Sequence, residues 1–127
     1  MSSALAEAGP VRGSADSRIL ARVAETFGQV LSAARRAAGL SQRELAARIL
    51  KEDGEPISPQ YLNDLERDRR NPPAQHFLKQ FAEVLNLPEE YLDFAAGQLP
   101  EDLRNSGGYA PEQVQAAFRA FRRSLRG

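Results

Sequence analysis

The chain has 127 residues, enough for one domain with short tails, and its 17 basic and 17 acidic side chains give a formal net charge of zero. It has no cysteine and a single histidine, His76, which excludes a disulfide framework and a zinc site built from cysteine or histidine. No apolar run is long enough to span a bilayer, and the first residues lack the pattern of a secretory signal, so we expect a soluble protein of the cytoplasm.

The N-terminal part of the chain is predicted to be a disordered arm followed by a helix. Residues 1–16 are rich in Ala, Ser and Gly and hold few large apolar residues. From Ser17 onward, apolar residues recur at three- and four-residue spacing, which is helical. Thr26 and Gln29 make a capping-box pair, which predicts that the main helix starts directly after Thr26, and Gly39 is suited to end it.

Two short amphipathic runs follow, separated by a polar insertion. Ser41 and Glu44 form a second capping box, and residues 41–50 are predicted to make a helix of about three turns. The sequence KEDGEP, residues 51–56, stops this helix. Ser58 can cap a third helix, because the proline that follows it is tolerated at the first helical position.

The rest of the domain is predicted to contain two more helices. Residues 74–87 carry aromatic and aliphatic side chains on one face, and Asn86 is suited to end this helix. Residues 88–97 are predicted to form a fifth short helix closed by Gly97. The pattern therefore predicts an all-α domain over residues 17–99.

The C-terminal region is predicted to be a linker, residues 100–110, followed by a last amphipathic helix, residues 111–127. The large apolar residues of this helix lie within about 60° of one another around its axis. An exposed stripe of this kind is a liability unless its own domain or a partner covers it. The stripe consists of Val114, Phe118, Phe121 and Leu125.

Catalytic signals are weak throughout the sequence. His76 lies inside an amphipathic helix and is expected to be a partly exposed helix residue rather than a catalyst. The sequence shows no glycine-rich phosphate cradle and no paired-carboxylate motif. We therefore expect no enzymatic activity, no metal and no cofactor.

Three stretches of the chain match one known pattern at several spaced positions. They are FGQVLSAARRAAGLSQRELAARI, ISPQYLNDLERDRRNPP and FLKQFAEVLNLPEEYLDF. The matching residues are Gly39-Leu40-Ser41-Gln42, Glu44-Leu45-Ala46, Ile57-Ser58, Tyr61-Leu62, Leu65-Glu66 and the arginine-rich turn that runs to Pro72. Over about residues 27–94, the sequence resembles the Cro/C1-type (XRE) family of helix-turn-helix DNA-binding proteins. This resemblance implies a five-helix, lambda-repressor-like helix-turn-helix domain, followed here by the additional C-terminal amphipathic helix.

The resemblance implies that residues 58–67, SPQYLNDLER, form the recognition helix that reads the major groove. At about 100° per residue, Leu62 and Leu65 lie on one side of this helix and the polar residues lie on the other. A polar helix face alone predicts only a solvated surface, and the resemblance favours contact with DNA. The implied DNA-binding residues are Gln42, Arg43, Ser58, Gln60, Tyr61, Asn63, Asp64, Arg67, Arg69, Arg70 and Asn71.

The resemblance also implies structural roles for charged residues. Arg35 and Glu66 occupy positions that form a partly buried ion pair in the family, where the pair braces the first helix to the recognition helix. Asp68 stands where the family often has glycine, and aspartate tolerates the left-handed conformation better than most residues.

The KEDGEP insertion, residues 51–56, is the larger departure, since the family joins these two helices by a short glycine-containing turn. A passive surface insertion is favoured, because added loop length costs little free energy. The alternative is that the insertion alters the approach to DNA. Because its three acids would repel phosphates, the loop is then expected to bend away from DNA or to meet a protein.

The expected function is sequence-specific binding of double-stranded DNA by a small, nucleoid-associated transcriptional regulator, a repressor by family habit. Residues 27–99 hold nine basic and eleven acidic side chains, so affinity for DNA should depend on salt and on a local cluster. That cluster is Arg43, Arg67, Arg69 and Arg70.

The last helix leaves the choice of partner open. Its stripe can pack on its own domain or pair with a second subunit, and a homodimer is favoured because two recognition helices double the length of DNA that is read. The alternative function is an antitoxin or another protein-interaction module that binds a partner protein through this helix.

Overall fold

The structure is a computed structural model, and it describes residues 26–127. Within them the chain forms α1 (Phe27–Ala37), α2 (Gln42–Ala47), α3 (Pro59–Glu66), α4 (Gln75–Leu85), α5 (Glu89–Ala95), α6 (Glu101–Asn105) and α7 (Pro111–Arg126). The predicted all-α class and the five-helix domain are confirmed. The predictions for the arm over residues 1–16 and for helical turns before Thr26 lie outside the described residues.

The first three helices begin at the predicted caps. Thr26 Oγ1 accepts a hydrogen bond from Gln29 N, and Gln29 Oε1 accepts one from Thr26 N, both at 3.1 Å. Ser41 and Glu44 make the same reciprocal pair at 2.8 and 3.0 Å, and the Ser41 backbone N–H lowers the pKa of the Glu44 carboxyl below its ordinary value. Ser58 caps α3, with proline in its first turn.

Helix α2 ends at Ala47 and is shorter than the three-turn helix predicted for SQRELAARIL, which is a correction. After Ala47 the chain leaves the helix and becomes extended, because it pairs with the far end of the insertion. Ile57 N donates to Ile49 O at 2.9 Å, and Leu50 forms an isolated antiparallel bridge with Pro56. Ile49 is fully buried in this arrangement. The two ends of the insertion are thus held together across its base, and this pairing ends the helix.

The interval 100–110 also differs from the prediction of a linker, because it contains α6. Pro100 stands at the N-cap with φ of −53°, and Glu101 and Asp102 lie in the first turn. Acidic side chains in a first turn are favoured by the partial positive charge of a helix N-terminus.

The core lies between the first five helices. Helix α3 packs on α1 and α2, and α5 packs on α4 and α1. Leu62 and Leu65 of α3 are fully buried, together with Leu31 of α1 and Phe81 of α4. Burial of such side chains stabilises the fold by about 1.5–3 kcal/mol each. This packing fixes α3 with its apolar side inward and its polar side outward.

Helix α7 lies outside this core, and all of its residues are exposed. Its contact with the domain is aromatic: the rings of Phe121 and Phe94 are edge to face, with centroids 6.0 Å apart. The apolar stripe of α7 therefore stays largely open to solvent. No helix among the described residues has the length and apolarity that crossing a membrane requires.

Candidate nucleic-acid interface

Two exposed polar residues lie at the N-terminal end of helix α3. Ser58 and Gln60 are exposed, and Ser58 Oγ accepts a hydrogen bond from Tyr61 N at 3.0 Å. The Ser58 hydroxyl therefore caps the helix and is still able to donate its proton to a ligand. The same end of the helix is the part that enters the major groove in helix-turn-helix proteins.

Five of the predicted DNA-binding residues lie together around one carboxylate, and we name them the Asp64 cluster: Gln60, Tyr61, Asp64, Arg69 and Arg70. Gln60 Nε2 donates to Asp64 Oδ1 at 3.0 Å. Arg69 Nη1 and Arg70 Nε lie 3.6 and 3.9 Å from the oxygens of the same carboxylate. The Arg70 guanidinium also lies 5.1 Å from the centroid of the Tyr61 ring.

The arginines of the Asp64 cluster are free enough to change partner. Their side chains are 59% and 58% exposed, so their ion pairs with Asp64 contribute little to stability. The contacts with Asp64 place the two guanidinium groups beside α3. Planar guanidinium groups suit two-pronged contacts with phosphates or with guanine. The cluster can therefore supply both a base-reading amide, on Gln60, and phosphate-binding charge.

Gln42 and Asn63, both predicted to contact DNA, are joined to each other. Gln42 Nε2 donates to Asn63 Oδ1 at 3.1 Å and to Glu66 Oε1 at 2.9 Å. Both side chains are half-buried. Gln42 thus bridges α2 to α3, and the amide of Asn63 is held in one orientation. Within residues 26–127, Gln42 Oε1 and Asn63 Nδ2 make no hydrogen bond and are available to a ligand.

Arg35 and Glu66 form a two-pronged ion pair between α1 and α3. Arg35 Nε donates to Glu66 Oε2 at 2.7 Å, and Nη2 donates to Oε1 at 3.1 Å. Arg35 Nη1 also donates to Leu40 O at 2.9 Å. The side chains are 11% and 4% exposed, so the pair belongs to the interior rather than to the exposed surface of α3.

The remaining predicted DNA-binding residues lie at the edges of this surface. Arg43 is exposed in the first turn of α2, Arg67 is exposed at the C-cap of α3, and Asn71 is exposed in the following turn. None of them makes a side-chain hydrogen bond or ion pair with the Asp64 cluster within the described residues. They are suited to contacts with the DNA backbone, which position a protein without reading sequence.

Asp68 has a role that sequence reasoning missed. Its φ is 59°, and in this left-handed conformation its carboxylate caps the start of α1. Oδ1 accepts from Gly28 N at 3.0 Å, and Oδ2 accepts from Thr26 Oγ1 at 2.6 Å. The only signal in the sequence is that Asp68 stands where the family often has glycine. A contact between Asp68 and Gly28, forty residues apart, leaves no local sequence pattern.

The insertion between α2 and α3 is an ordered turn whose base is tied to α4. Lys51 N donates to Glu55 O at 2.8 Å across the turn. Leu50 N donates to Gln80 Oε1 at 2.7 Å, and Leu50 O lies 2.8 Å from Gln80 Nε2 and 3.0 Å from His76 Nε2. His76 is exposed and contacts the base of the insertion. Gln80, for which no sequence pattern predicts a role, provides two of these contacts.

Comparison with known proteins gives a family match over the central helices. The sequence model of the family described as Helix-turn-helix matches residues 31–92, which span α2, α3 and the helices packed against them. No curated protein matches the chain. A chain of the solved SinR protein/SinI protein complex is similar at 22% identity and a TM-score of 0.45, over 78% of this chain and 99% of that one. The family match shows that residues 31–92 form a helix-turn-helix domain of the XRE family.

Proposed function

We propose that this protein regulates transcription by binding specific sequences of double-stranded DNA, with α3 in the major groove. The observation that carries the proposal is the division of α3 into two sides. Leu62 and Leu65 are fully buried, while Ser58 and Gln60 are exposed at the N-terminal end that would enter the groove.

The chemistry of the exposed groups suits the edges of bases. Glutamine and asparagine amides read adenine, arginine reads guanine, and aspartate can accept from the N4 amino group of cytosine. We assign base reading to Ser58, Gln60, Asn63 and Asp64. Phosphate contacts fall to Arg43, Tyr61, Arg67, Arg69, Arg70 and Asn71. Both amide hydrogens of Gln42 are used within the protein, so its free Oε1 is assigned to accept from a base amino group. The protein is proposed to act without enzymatic chemistry, on nucleoid DNA in the cytoplasm and as a repressor.

The arginine pair of the Asp64 cluster gives the first test of this assignment. Changing Arg69→Ala and Arg70→Ala together removes two phosphate contacts, so the slope of log K against log salt should become less steep by about 2. Titrations of a labelled duplex at several salt concentrations measure this slope. The matched control is Arg36→Ala with Arg48→Ala, two exposed arginines of the same domain that lie outside the proposed interface. An unchanged slope for the Arg69/Arg70 variant would show that the wrong cluster has been assigned.

We further propose that the protein is a homodimer joined through α7. Val114, Phe118, Phe121 and Leu125 are 40%, 45%, 41% and 68% exposed, and a second copy of the chain would cover them. Pairing also brings two recognition helices to one DNA site, and a single short helix reads few bases.

Light scattering of the full-length chain tests the dimer. The wild type should have twice the mass of one chain, and Phe118→Glu with Leu125→Glu should reduce it to one. Ala116→Glu with Ala120→Glu, on the other side of α7, should leave the mass unchanged. A monomeric wild type would contradict the dimer and favour the second candidate, a protein-interaction module or antitoxin that uses the same open stripe to bind a different protein.

A further inference from the structure

The segment between α5 and α7, residues 96–110, is hydrogen-bonded along its length, and we name it the connector. A buried carboxylate of α5 holds its start. Asp93 is 1% exposed, and its Oδ1 accepts from Gln75 Nε2 at 3.1 Å and from Gln98 Nε2 at 3.3 Å. Gln98 N also donates to Asp93 O at 3.0 Å. A buried carboxylate needs such donors, so burial of Asp93 holds the start of the connector against α4.

The next part of the connector is tied to α4 at two points. Arg104 Nη2 donates to Gln75 Oε1, while Arg104 Nε donates to Leu99 O at 2.8 Å. Lys79 Nζ lies 3.5 Å from Glu101 Oε1. Helix α6 is therefore joined to α4 mainly by the Arg104 guanidinium, since the exposed ion pair at its N-terminal end contributes little.

The turn into α7 contains two successive glycines, which would be flexible if nothing held them. Tyr109 OH donates to Leu103 O at 2.7 Å, and Ser106 Oγ donates to the same carbonyl at 3.1 Å. This double contact folds the turn back on α6. Farther along α7, Phe121 packs on Phe94 of α5. Helix α7 is thus held near its start and in its second half.

Since α7 meets the rest of the domain through Phe94 and the connector, its direction relative to α3 depends on these contacts. In a dimer joined through α7, that direction decides how far apart the two recognition helices lie. A flexible linker would let them reach half-sites at many separations. We propose that the connector sets the separation of the two DNA half-sites, with Gln75, Asp93, Gln98, Arg104 and Tyr109 as its positioning residues. The inference rests on the proposed dimer, and none of these residues needs to contact DNA.

The test is a selection of bound duplexes from a pool whose random stretch spans about four helical turns of about 10.5 bp each. The full-length wild type should enrich paired half-sites at one separation. Arg104→Ala with Tyr109→Phe should enrich the same half-site, with separations spread over several base pairs. A second variant, with Gly-Ser-Gly-Ser inserted after Gly108, should broaden the separations further. Arg123→Ala, an exposed arginine on α7, is the control and should keep the wild-type separation.

The outcomes separate the connector from the dimer. The proposal is overturned if both connector variants stay dimeric in light scattering and still select one separation of half-sites. A dimeric wild type that selects paired half-sites at many separations also overturns it. A monomeric wild type overturns the proposed dimer, and the role of the connector with it, and light scattering identifies this case independently of the selected sequences.

Discussion

Replacing Glu66 by alanine should lower the free energy of unfolding by about 3–5 kcal/mol, because it leaves the buried charge of Arg35 without its partner. The pair is short and two-pronged, and the Glu66 side chain is only 4% exposed. Glu66 Oε1 also accepts from Gln42, so the same change loosens α2 from α3. Urea denaturation followed by circular dichroism measures the loss as a lower midpoint at unchanged slope.

Two controls show whether burial of the charge is the cause. Lys79→Ala removes an exposed ion pair and should cost no more than about 1 kcal/mol. Arg35→Met with Glu66→Leu removes both charges and keeps the volume, so it should recover much of the stability lost in Glu66→Ala. If Glu66→Ala costs no more than Lys79→Ala, the pair does not brace α1 to α3.

The second large effect is expected at Gly28, where α1 crosses the end of α3. A Cβ atom there would lie 2.5 Å from Glu66 O, 2.6 Å from Leu65 O and 2.7 Å from Asp68 Oδ1. Helix propensity alone predicts that alanine would stabilise α1 by up to about 1 kcal/mol. The clash is with backbone carbonyls, which cannot rotate away, and overpacking of this kind costs about 1–3 kcal/mol. The contacts are short enough for the upper end of this range, so after the gain in helix propensity we expect Gly28→Ala to be destabilising by about 2 kcal/mol.

Gly108→Ala is the matched control for Gly28→Ala. A Cβ atom at Gly108 would meet nothing within 4 Å, so its effect should stay within about 0.5 kcal/mol. Thermal and urea unfolding of both variants decide the point. A Gly28→Ala protein as stable as the wild type, or more stable, would mean that α1 and α3 do not approach as closely as described.

The parts of the fold that could be predicted from the sequence are those set by near neighbours. The caps at Thr26, Ser41 and Ser58 each involve residues within three positions, so the starts of α1, α2 and α3 follow from the sequence alone. The end of α2 could not be predicted in this way. It depends on pairing between Ile49 and Ile57 across the insertion, and helix periodicity carries no signal for such a pair.

In the candidate site, too, features set by near neighbours could be predicted, and features set by distant contacts could not. The polar side of α3 follows from the spacing of Leu62 and Leu65, and the roles of its residues come from the resemblance to the family. The convergence of Arg69 and Arg70 on Asp64 depends on how the turn after α3 folds back. The contact between Asp68 and Gly28 joins residues that are distant in sequence, and such contacts become visible only once the helices are packed.

Selection of duplexes from a random pool shows whether α3 reads a DNA sequence in the major groove. Wild type should enrich one half-site motif, and Gln60→Ala should keep most of that motif while losing preference at the base pairs nearest the N-terminus of α3. If the wild type enriches no sequence, or if the double variant Gln60→Ala with Asn63→Ala selects the wild-type motif, α3 does not read DNA sequence.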